Sequence, residues 1–562
     1  MNHAPPAPPR QAVIAFACLA LAVALPTQAP AKAATDAVSA VFRERATRRA
    51  ACRNEQVGAA VQDGIAWLIA HQDKDGHWDS DGFMKHDAEG NRCDGPGNGV
   101  HDIGVSGLAL LALLAAGDRL SVDACRVAAD WLKAAFDPST GRVRSQSQAL
   151  IYEQAIATMA MAEAAALLGS ERYREAAALG LRYLQAHRTK GAAWRYEPQG
   201  KECDTSVTSW CLAAYSACFH LGLDVPANDV GEALAWLDQV TDPSGYTGYM
   251  KVGQGSARPV GRQDTFPAGL GASVTAAALH ARFLCGLSPA RTGLAKAAAV
   301  LAALPPVWSS KAADTYYWFH GSAALAHMPS SAALKQWEPA LHKALLTTQR
   351  KKVPSLGSWD PVDVWGEEAG RVCTTALAIL SLSSSWRMGD TEALAFVPKA
   401  PPLRGVHSQW QAGKLGAAIT ALAQLPETPE LAAFATAQKR MQWFVAVEVA
   451  HAESLLNSLA IVRPYVLDRL ELLDEIRLRL SPLAPGKAAE QQFAQLQKDP
   501  TVRNEIQANK ELRGLQKPLD AAIASGNQRQ RQQMRDQLMQ FINKYPRTAA
   551  AEQAKAMFHR VP

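Results

Sequence analysis

Six acidic positions recur along the chain at nearly constant spacing, and a long apolar run follows each of them. The steps between them are 51, 51, 60, 50 and 53 residues. Carboxyl groups gathered at one place can keep a proton at a raised pKa, as a general acid needs, or can bind a cation. The simpler alternative is that each carboxylate caps its own helix. The positions are Asp102, Glu153, Asp204, Asp264, Asp314 and the pair Glu367–Glu368.

An acid that takes part in chemistry needs a further polar group beside it, and some of these positions have one nearby in sequence. Tyrosine and histidine follow one acid closely, whereas tryptophan and a further acid precede another. We therefore predict an acid–base site among these groups and no metal or cofactor. The candidates are Asp314 with His320, then Glu367 and Glu368 with Asp363, then Asp102 with His101, and finally Asp204.

The apolar runs also contain aromatic residues that could line a cavity. Such cavities suit isoprenoid chains, carbocations and sugars alike. The alternative is that the aromatic residues are ordinary core, as on most buried helices. The predicted ligand contacts are Tyr316, Tyr317, Trp210, Trp365 and Phe266, and the wider aromatic set adds Tyr215, Trp318 and Phe319.

The elements that must position these residues are pairs of helices. Each apolar run predicts a helix that is buried all round, and a helix with charge on one side precedes it. A period near 50 residues indicates an internal repeat. Six such pairs predict an all-α barrel with two concentric layers, closed into a ring, although an open solenoid also fits. The predicted outer helices are Val57–His71, Val122–Phe136, Tyr173–His187, Val230–Val240, Thr292–Leu304 and Trp337–Gln349.

The turns between paired helices carry a specific motif. Gln72, Gly76 and Trp78 fit Q-x-x-x-G-x-W. A Gln at the end of a helix can bond the backbone of a neighbouring repeat, Gly permits a tight turn, and Trp covers both. Weaker copies follow at Gln185–Trp194, Gln239–Tyr246 and Gln349–Trp359.

With this motif and its six hairpins, the chain resembles the prenyltransferase and squalene oxidase repeat family over residues 56–390. The resemblance implies the α/α toroid of terpenoid cyclases and protein prenyltransferases, with the inner-helix N-termini around one rim. The catalytic motifs of that fold are missing. The nearest matches to the cyclase D-x-D-D, the zinc-binding Asp-x-Cys and the thioester C-G-E-Q are Asp79–Gly82, Asp123–Cys125 and Trp365–Glu368.

Residues 1–33 read as a secretory signal peptide. Arg10 precedes an apolar stretch at Ala12–Leu25, and small-residue cleavage sites follow at Thr27–Ala29 and Ala31–Ala33. We therefore expect an exported protein, periplasmic or extracellular, without a permanent membrane span. A lipid anchor at Cys18 is the alternative.

Three further segments flank the barrel: a polar lead at 34–55, a linker at 391–403 and a helical region at 404–562. The 404–562 region carries a formal charge of +6, equal to that of the whole chain. The sequence contains no dense basic patch with aromatic residues, so we do not expect nucleic acid as a partner. Its end, FINKYPRTAAAEQAKAMFHR, resembles a tetratricopeptide-like hairpin. It could bind a protein partner or pack beside the barrel.

The chain has nine cysteines, and eight remain after removal of the signal peptide. An even number in an exported protein permits disulfides, although sequence does not give their pairing. Cysteines inside apolar helices are predicted to be small core residues: Cys211, Cys218, Cys285 and Cys373. The disulfide candidates are Cys52, Cys93, Cys125 and Cys203.

Two classes of function follow from the sequence. The first is an exported toroid that binds or scaffolds, through an apolar or sugar-like ligand in its cavity or a protein partner on the C-terminal helices. The second is a terpenoid-cyclase-type or other acid-catalysed enzyme, an isomerase, lyase or hydrolase that uses the rim carboxylates. The long loop at 245–267, rich in Gly with three basic residues, could close over the mouth.

Overall fold

The computed structural model describes residues 44–52, 54–117, 121–289, 291–387, 404–425, 435–462 and 465–561. The predicted signal peptide, Cys18 and the predicted linker at 391–403 lie outside the described residues. Regular structure in the described ranges is helical, apart from two isolated bridges, Phe136 with Val143 and Thr241 with Thr247.

Twelve helices of the described chain, numbered α1 to α12 in order, alternate between an outer and an inner layer. They are α1 (Glu55–Ala70), α2 (Asp102–Ala116), α3 (Val122–Ala134), α4 (Leu150–Leu168), α5 (Glu171–His187), α6 (Thr205–His220), α7 (Ala227–Gln239), α8 (Ser273–Leu284), α9 (Thr292–Ala303), α10 (Thr315–Ala326), α11 (Ala332–Leu346) and α12 (Gly366–Leu382). Short 3₁₀ turns lie at Phe83–His86, Gly99–His101 and Ala268–Leu270.

The even-numbered helices form a closed inner ring. Each packs against the next, and α12 packs against α2, which completes the circle. The outer layer closes at the same place, where α11 contacts α1 and the Gln349 side-chain amide donates to the Ala60 carbonyl at 2.8 Å. The first and sixth repeats are therefore neighbours. The prediction of an all-α toroid of six hairpins is confirmed, and the open solenoid is wrong.

Burial follows the difference in patterning between the two layers. Every residue of α2 from Ile103 to Ala116 is buried, as expected of a helix with apolar groups all round. The outer helix α3 buries only one stripe, Cys125, Ala128, Ala129 and Leu132, and turns its charged side outward. The stripe has the spacing of a single helix face.

The turn motif acts as the sequence predicts. The Gln72 amide donates to the carbonyls of Gly76 at 2.8 Å and of Ala124, in the next repeat, at 3.0 Å. The Trp78 indole N–H donates to the Leu68 carbonyl at 2.8 Å. Gly76 has φ of +107°, and a Cβ there would lie 2.3 Å from a backbone oxygen of α3, so no other residue fits.

The C-terminal region is helical throughout its described ranges, and part of it packs on the toroid. The long helix α16 (Ala435–Asn457) contacts the outer helix α7, and the Trp443 indole donates to the Val225 carbonyl at 2.7 Å. The short helix α13 (Ser384–Arg387) follows α12 and packs on the toroid. The helices of the C-terminal region are α14 (Arg404–Gln411), α15 (Leu415–Ala423), α16 (Ala435–Asn457), α17 (Leu459–Val462), α18 (Val466–Leu480), α19 (Ala484–Lys498), α20 (Pro500–Ser525), α21 (Gln528–Lys544) and α22 (Ala549–Arg560).

Buried charges fasten this region to the fourth and fifth repeats. His451 of α16 lies 2.8 Å from the Asp238 carboxylate, which also accepts from Arg282 at 2.9 Å. Arg291 lies 2.9 Å from Glu475 and 3.6 Å from Glu448. Removing one member of such a buried pair leaves an uncompensated charge, so the contact depends on all of them.

All eight cysteines in the described ranges are free thiols. None of the four disulfide candidates is bonded to another, which contradicts that use of Cys52, Cys93, Cys125 and Cys203. Cys125, for example, lies in the buried stripe of an outer helix, because the charged residues around it in sequence point the other way. The four cysteines predicted as core residues are buried.

One described segment, Gly99–Ala116, is long and apolar enough to cross a bilayer by composition alone. It contains α2, and 78% of it is buried within the protein. A core helix of a closed ring meets the same criterion, so the segment is accounted for by its place in the toroid.

Candidate functional site

A cavity of about 300 Å³ lies at the centre of the ring, beside the N-terminal ends of the inner helices. All six inner helices contribute to its wall, because they run in one direction and begin at the same rim. Aliphatic side chains such as Val105, Leu108 and Leu377 form its deeper wall. The aromatic residues on the wall are Tyr152, Tyr196, Trp210, Tyr249, Tyr316 and Trp365.

One side of the cavity is a chain of ionisable groups. The His101 Nδ1 atom lies 2.9 Å from Glu153 Oε1, and its Nε2 atom lies 3.7 Å from Glu368 Oε2. His101 ends the short turn before α2, Glu153 lies in the first turn of α4, and Glu368 lies at the start of α12. Three repeats therefore contribute one side chain each.

The neighbouring carboxylates favour the charged form of the His101 imidazole. The hydrogen bond to Glu153 raises the pKa of His101, although burial alone would lower it. The Glu153 side chain is almost fully buried, and its second oxygen, Oε2, has no hydrogen-bond partner among the described residues. A buried carboxylate oxygen without a donor is costly, and this one belongs to a residue of the cavity wall.

A second part of the cavity wall consists of tyrosine phenols. The hydroxyls of Tyr316 and Ser206 lie 2.7 Å apart, and the rings of Tyr152 and Tyr196 lie 6.0 Å from each other. Burial raises the pKa of Tyr316 and Tyr152, so both remain neutral. These hydroxyls can both donate and accept hydrogen bonds.

Asp204 lies behind this tyrosine wall and caps α6. Its Oδ1 atom accepts the Val207 N–H at 2.8 Å, and the Arg195 Nε atom lies 3.7 Å from Oδ2. Burial raises the pKa of Asp204 to about 6, against the lowering effect of the cap. The simple capping alternative is therefore confirmed here, and Asp204 does not line the cavity.

The group around Asp314 is not assembled in the way that we predicted. Asp314 caps α10 by accepting the Tyr317 N–H at 2.9 Å, and it also accepts the Ser273 hydroxyl at 2.7 Å. Tyr317 points to the outer layer and donates to the Leu304 carbonyl at 2.8 Å. Only Tyr316 faces the cavity, because residues 316 and 317 lie on different sides of the helix.

His320 lies one turn deeper than Tyr316, outside the cavity wall. Its Nδ1 atom is 3.1 Å from that of His280, and both residues are buried. Burial lowers the pKa of His320 to about 3, so this histidine is neutral. Trp210 packs edge-on against it at 5.1 Å. The structure therefore places His320 in the core rather than in the site.

The two acids before α12 have different neighbours from those predicted. Gly370 has φ of +73° and breaks the helix after its first turn, so Glu367 and Glu368 do not cap the long inner segment. Glu368 lines the cavity next to Trp365. Glu367 instead forms an ion pair with Arg262, on the outside of the mouth.

The long loop at 245–267 covers part of the mouth. Arg258 lies on the cavity wall, 3.7 Å from the Asp314 carboxylate, and donates to the Phe266 carbonyl at 3.1 Å. Phe266 is buried beneath the Arg262 guanidinium, 5.0 Å from the ring centre, and is not a wall residue. The loop thus joins the fourth repeat to the sixth through the Arg262–Glu367 ion pair.

Two other acidic positions do not reach the cavity. Asp102 accepts the Ser80 N–H at 2.8 Å and its hydroxyl at 2.6 Å, so it fixes the preceding turn, and burial raises its pKa. Asp264 is exposed in the loop, and α8 begins only at Ser273, so the prediction that it opens a helix is wrong. Pro267 and a 3₁₀ turn separate the two.

Four residues of the cavity wall are not among the predicted site residues: Tyr152, Glu153, Tyr196 and Tyr249. Tyr152 and Glu153 could have been predicted. They lie in the first turn of their inner helix, the position that Ser206 and Tyr316 occupy in two other inner helices. Tyr196 and Tyr249 lie in loops and carried no signal of this kind. The described residues offer three-ligand metal groups at two places only, both in the first repeat and away from the cavity.

Comparison with known proteins gives similarity to solved structures only. No family model matches the chain, and no curated protein matches it. An inactive variant of an α-1,6-mannanase from Salegentibacter in complex with α-1,6-mannotriose is similar at 11% identity, covering 59% of this chain and 99% of that one, with a TM-score of 0.40. A type II terpene cyclase from Scytonema, MstE, is similar at 16% identity, covering 59% and 98%, also with a TM-score of 0.40.

The twelve-helix ring and its central cavity define the class of the protein. It is an α/α toroid with a helical C-terminal region packed on its fourth repeat. A fold of this kind does not fix an activity, which depends on the groups in the cavity.

Proposed function

We propose that this protein binds a compact, mostly apolar ligand in its central cavity, with a hydroxyl or amine group held by His101, Glu153 and Glu368. The observation that carries the proposal is the unpartnered, buried Glu153 Oε2 atom in a wall that is otherwise aromatic and aliphatic. Such an oxygen needs a donor, and a small number of polar groups in an apolar cleft is typical of ligand sites.

The size of the cavity restricts the ligand. About 300 Å³ is at the lower end of the range for small-molecule sites. A short prenyl alcohol or a single sugar ring is compatible with that volume, whereas a long polyene is not. The aliphatic wall at Val105, Leu108 and Leu377 favours the prenyl-like chain over the sugar.

Ligand binding can be tested by tryptophan fluorescence, because Trp210 and Trp365 line the cavity. We expect farnesol and geraniol to quench this emission at saturation, and glucose to do so weakly. The Glu153→Gln variant should bind about ten- to a hundredfold more weakly, the value of a hydrogen bond to a charged group. Native mass spectrometry of the purified protein should show the same ligands retained.

A cavity-filling variant gives a matched control. Leu108→Trp fills the wall and should abolish binding, whereas Val127→Trp on the exposed side of α3 should leave it intact. Equal binding by both variants would place the ligand elsewhere and refute the proposal. Failure of all three compounds to bind wild-type protein would also refute the prenyl-alcohol assignment.

Acid-catalysed turnover is the second candidate, favoured by the His101–Glu153 contact at 2.9 Å. A charged imidazole held by a carboxylate can donate a proton to the oxygen of a leaving group such as an allylic hydroxyl, which departs as water. Incubation of the same alcohols and of squalene, followed by product analysis, distinguishes the two candidates. Product that disappears in His101→Asn would support catalysis, and unchanged ligand would support binding alone.

We also propose export through residues 1–33, to the periplasm or beyond, and a protein partner for the tetratricopeptide-like end of the chain. The separate apolar cluster of α20, α21 and α22, around Leu512, Leu538 and Phe541, supports the second proposal because it is distinct from the toroid core. Mass spectrometry of the mature N-terminus tests the first. Affinity capture with and without residues 500–561 tests the second.

A further inference from the structure

We propose that His71, Asp87 and Cys93 form a zinc site at the junction of the first and sixth repeats. Their ligand atoms, one per residue, lie within 4.8 Å of one another. As a set, these side chains differ in type from the carboxylates at the cavity rim. Imidazole, carboxylate and thiolate together are a donor set that zinc prefers.

The distances between the donor atoms match a shared ion. His71 Nε2 lies 3.1 Å from Asp87 Oδ1 and 3.8 Å from Cys93 Sγ. Tetrahedral zinc with ordinary bond lengths separates a nitrogen from an oxygen by about 3.4 Å and from a sulfur by about 3.6 Å. The preformed site therefore needs adjustments of only a few tenths of an ångström.

The hydrogen bonds around His71 fix which nitrogen is available. Nδ1 lies 2.8 Å from the Trp67 carbonyl oxygen, which can only accept, so Nδ1 carries a hydrogen. A neutral ring then turns the lone pair of Nε2 toward the carboxylate of Asp87. Two acceptors facing each other require a cation between them or a second proton on the ring.

The surroundings have the other features of a metal site. The Cys93 N–H donates to Asp87 Oδ2 at 2.8 Å, which orients the carboxylate, as outer-shell partners of metal ligands do. The side chains of His71 and Asp87 are each 5% exposed. Trp67 stacks on the imidazole at 4.2 Å and Phe83 packs on its edge at 5.7 Å, so the site is dry.

The position of the site indicates a structural purpose. Asp87 and Cys93 belong to the connection of about thirty residues between α1 and α2, which holds only 3₁₀ turns. The Ser355 hydroxyl, from the turn before α12, lies 3.6 Å from Cys93 Sγ. A metal bound here would tie this connection to α1 beside the seam of the ring.

The second metal-like group, Asp73, Asp75 and His77, is a poorer candidate. The Lys85 ammonium lies 2.7 Å from Asp73 Oδ2 and already supplies the positive charge. His77 stacks on Trp131 at 4.9 Å, on the partly exposed side of the same turn. This group therefore provides a control within the same segment.

The test uses the full chain, reduced, stripped with a chelator and then titrated with Zn²⁺ or Co²⁺. We expect one zinc per chain by elemental mass spectrometry. Bound Co²⁺ should give a thiolate charge-transfer band in the near ultraviolet and strong visible bands of a four-coordinate ion. Zinc should raise the melting temperature of the wild-type protein, since it binds only the folded state.

Variants assign the ligands. Cys93→Ser and His71→Ala should weaken zinc binding at least tenfold, roughly the smallest effect expected for a ligand, and Cys93→Ser should lose the cobalt thiolate band. Cys203→Ser is the matched control because both cysteines are 6% exposed, and it should bind normally. Zinc binding that survives Cys93→Ser unchanged, that is lost in His77→Ala, or that is absent from wild-type protein at micromolar metal would each overturn the proposal. The wild-type cobalt spectrum decides the matter even if a variant does not fold.

Discussion

The hydrogen bonds of Gln349 offer a direct test of ring closure. Its side-chain amide donates to the Gly357 carbonyl at 2.9 Å, within the sixth repeat, and to the Ala60 carbonyl at 2.8 Å, in the first. The residue is only 4% exposed. We predict that Gln349→Ala destabilises the toroid by weakening the contact between its two ends.

The magnitude follows from the two bonds that the Gln349 amide donates. A third bond, which Gln349 Oε1 accepts from the Lys351 ammonium at 2.7 Å, adds little because that ammonium is exposed to water. A buried hydrogen bond contributes about 0.5–1.5 kcal/mol net, and the lost methylene contributes about 0.8 kcal/mol. The expected loss of unfolding free energy is therefore about 2–4 kcal/mol. An open chain of repeats would keep only the bond to Gly357, and the loss would be about half as large.

The matched control is Gln72→Ala. Gln72 makes the same pair of bonds, to Gly76 and to Ala124, but between the first and second repeats. Urea unfolding followed by tryptophan fluorescence gives both free energies, and hydrogen exchange locates the opening. In a closed ring the two variants lose similar amounts. A loss of about 1–2 kcal/mol or less for Gln349→Ala beside a clearly larger loss for Gln72→Ala would refute our reasoning about the seam.

Four further predictions concern charged groups. Arg291→Ala should release the C-terminal helices to limited proteolysis, because breaking a buried ion pair costs about 3–5 kcal/mol. Asp238 is buried, yet Arg282 holds its pKa below the usual range. Its contribution to stability is therefore present above the pKa of the unfolded state and should be lost as pH falls. The midpoint of urea unfolding, measured between pH 3 and pH 7, should fall with pH accordingly. The pKa of Asp204, raised to about 6 by burial, predicts stability that falls as pH rises through 6, and Asp204→Asn, which keeps the cap, should remove this fall. Glu153→Gln should lower the pKa of His101, which NMR titration can follow. The variant should also reduce the stabilisation from His101 that is present at acidic pH and lost as pH rises.

The fold could be predicted from the sequence because repetition averages out local ambiguity. A single helix such as α2 is apolar on all sides and could belong to a membrane or a core, but six alternations with amphipathic helices admit few arrangements. The turn motif added physical content, since the Gln72 and Gln349 bonds to neighbouring repeats follow from its residue types. Helix ends were predicted less well where backbone breaks intervene, as at Gly370 in α12 and at the loop before Ser273.

The site was predicted less well, because spacing along the chain does not reveal which side of a helix faces the cavity. Tyr316 and Tyr317 are neighbours in sequence, yet one contacts the cavity and the other the outer layer. The contact between His101 and Glu153 joins residues 52 apart, and its geometry depends on how two inner helices pack. The pattern of residues in one sequence does not reveal how these two helices pack.

The acids recur once in each repeat along the sequence but have separate physical roles in the structure, and this difference is what locates the chemistry. Asp204 and Asp314 have N–H donors from their own helices, Asp102 has the Ser80 N–H and hydroxyl, and Glu367 has the Arg262 guanidinium. Asp204 also keeps one buried oxygen, Oδ2, without a hydrogen-bond donor, but it does not line the cavity. Glu153 is buried, faces the cavity and keeps one oxygen without a donor, so any ligand of the toroid should place its polar end there.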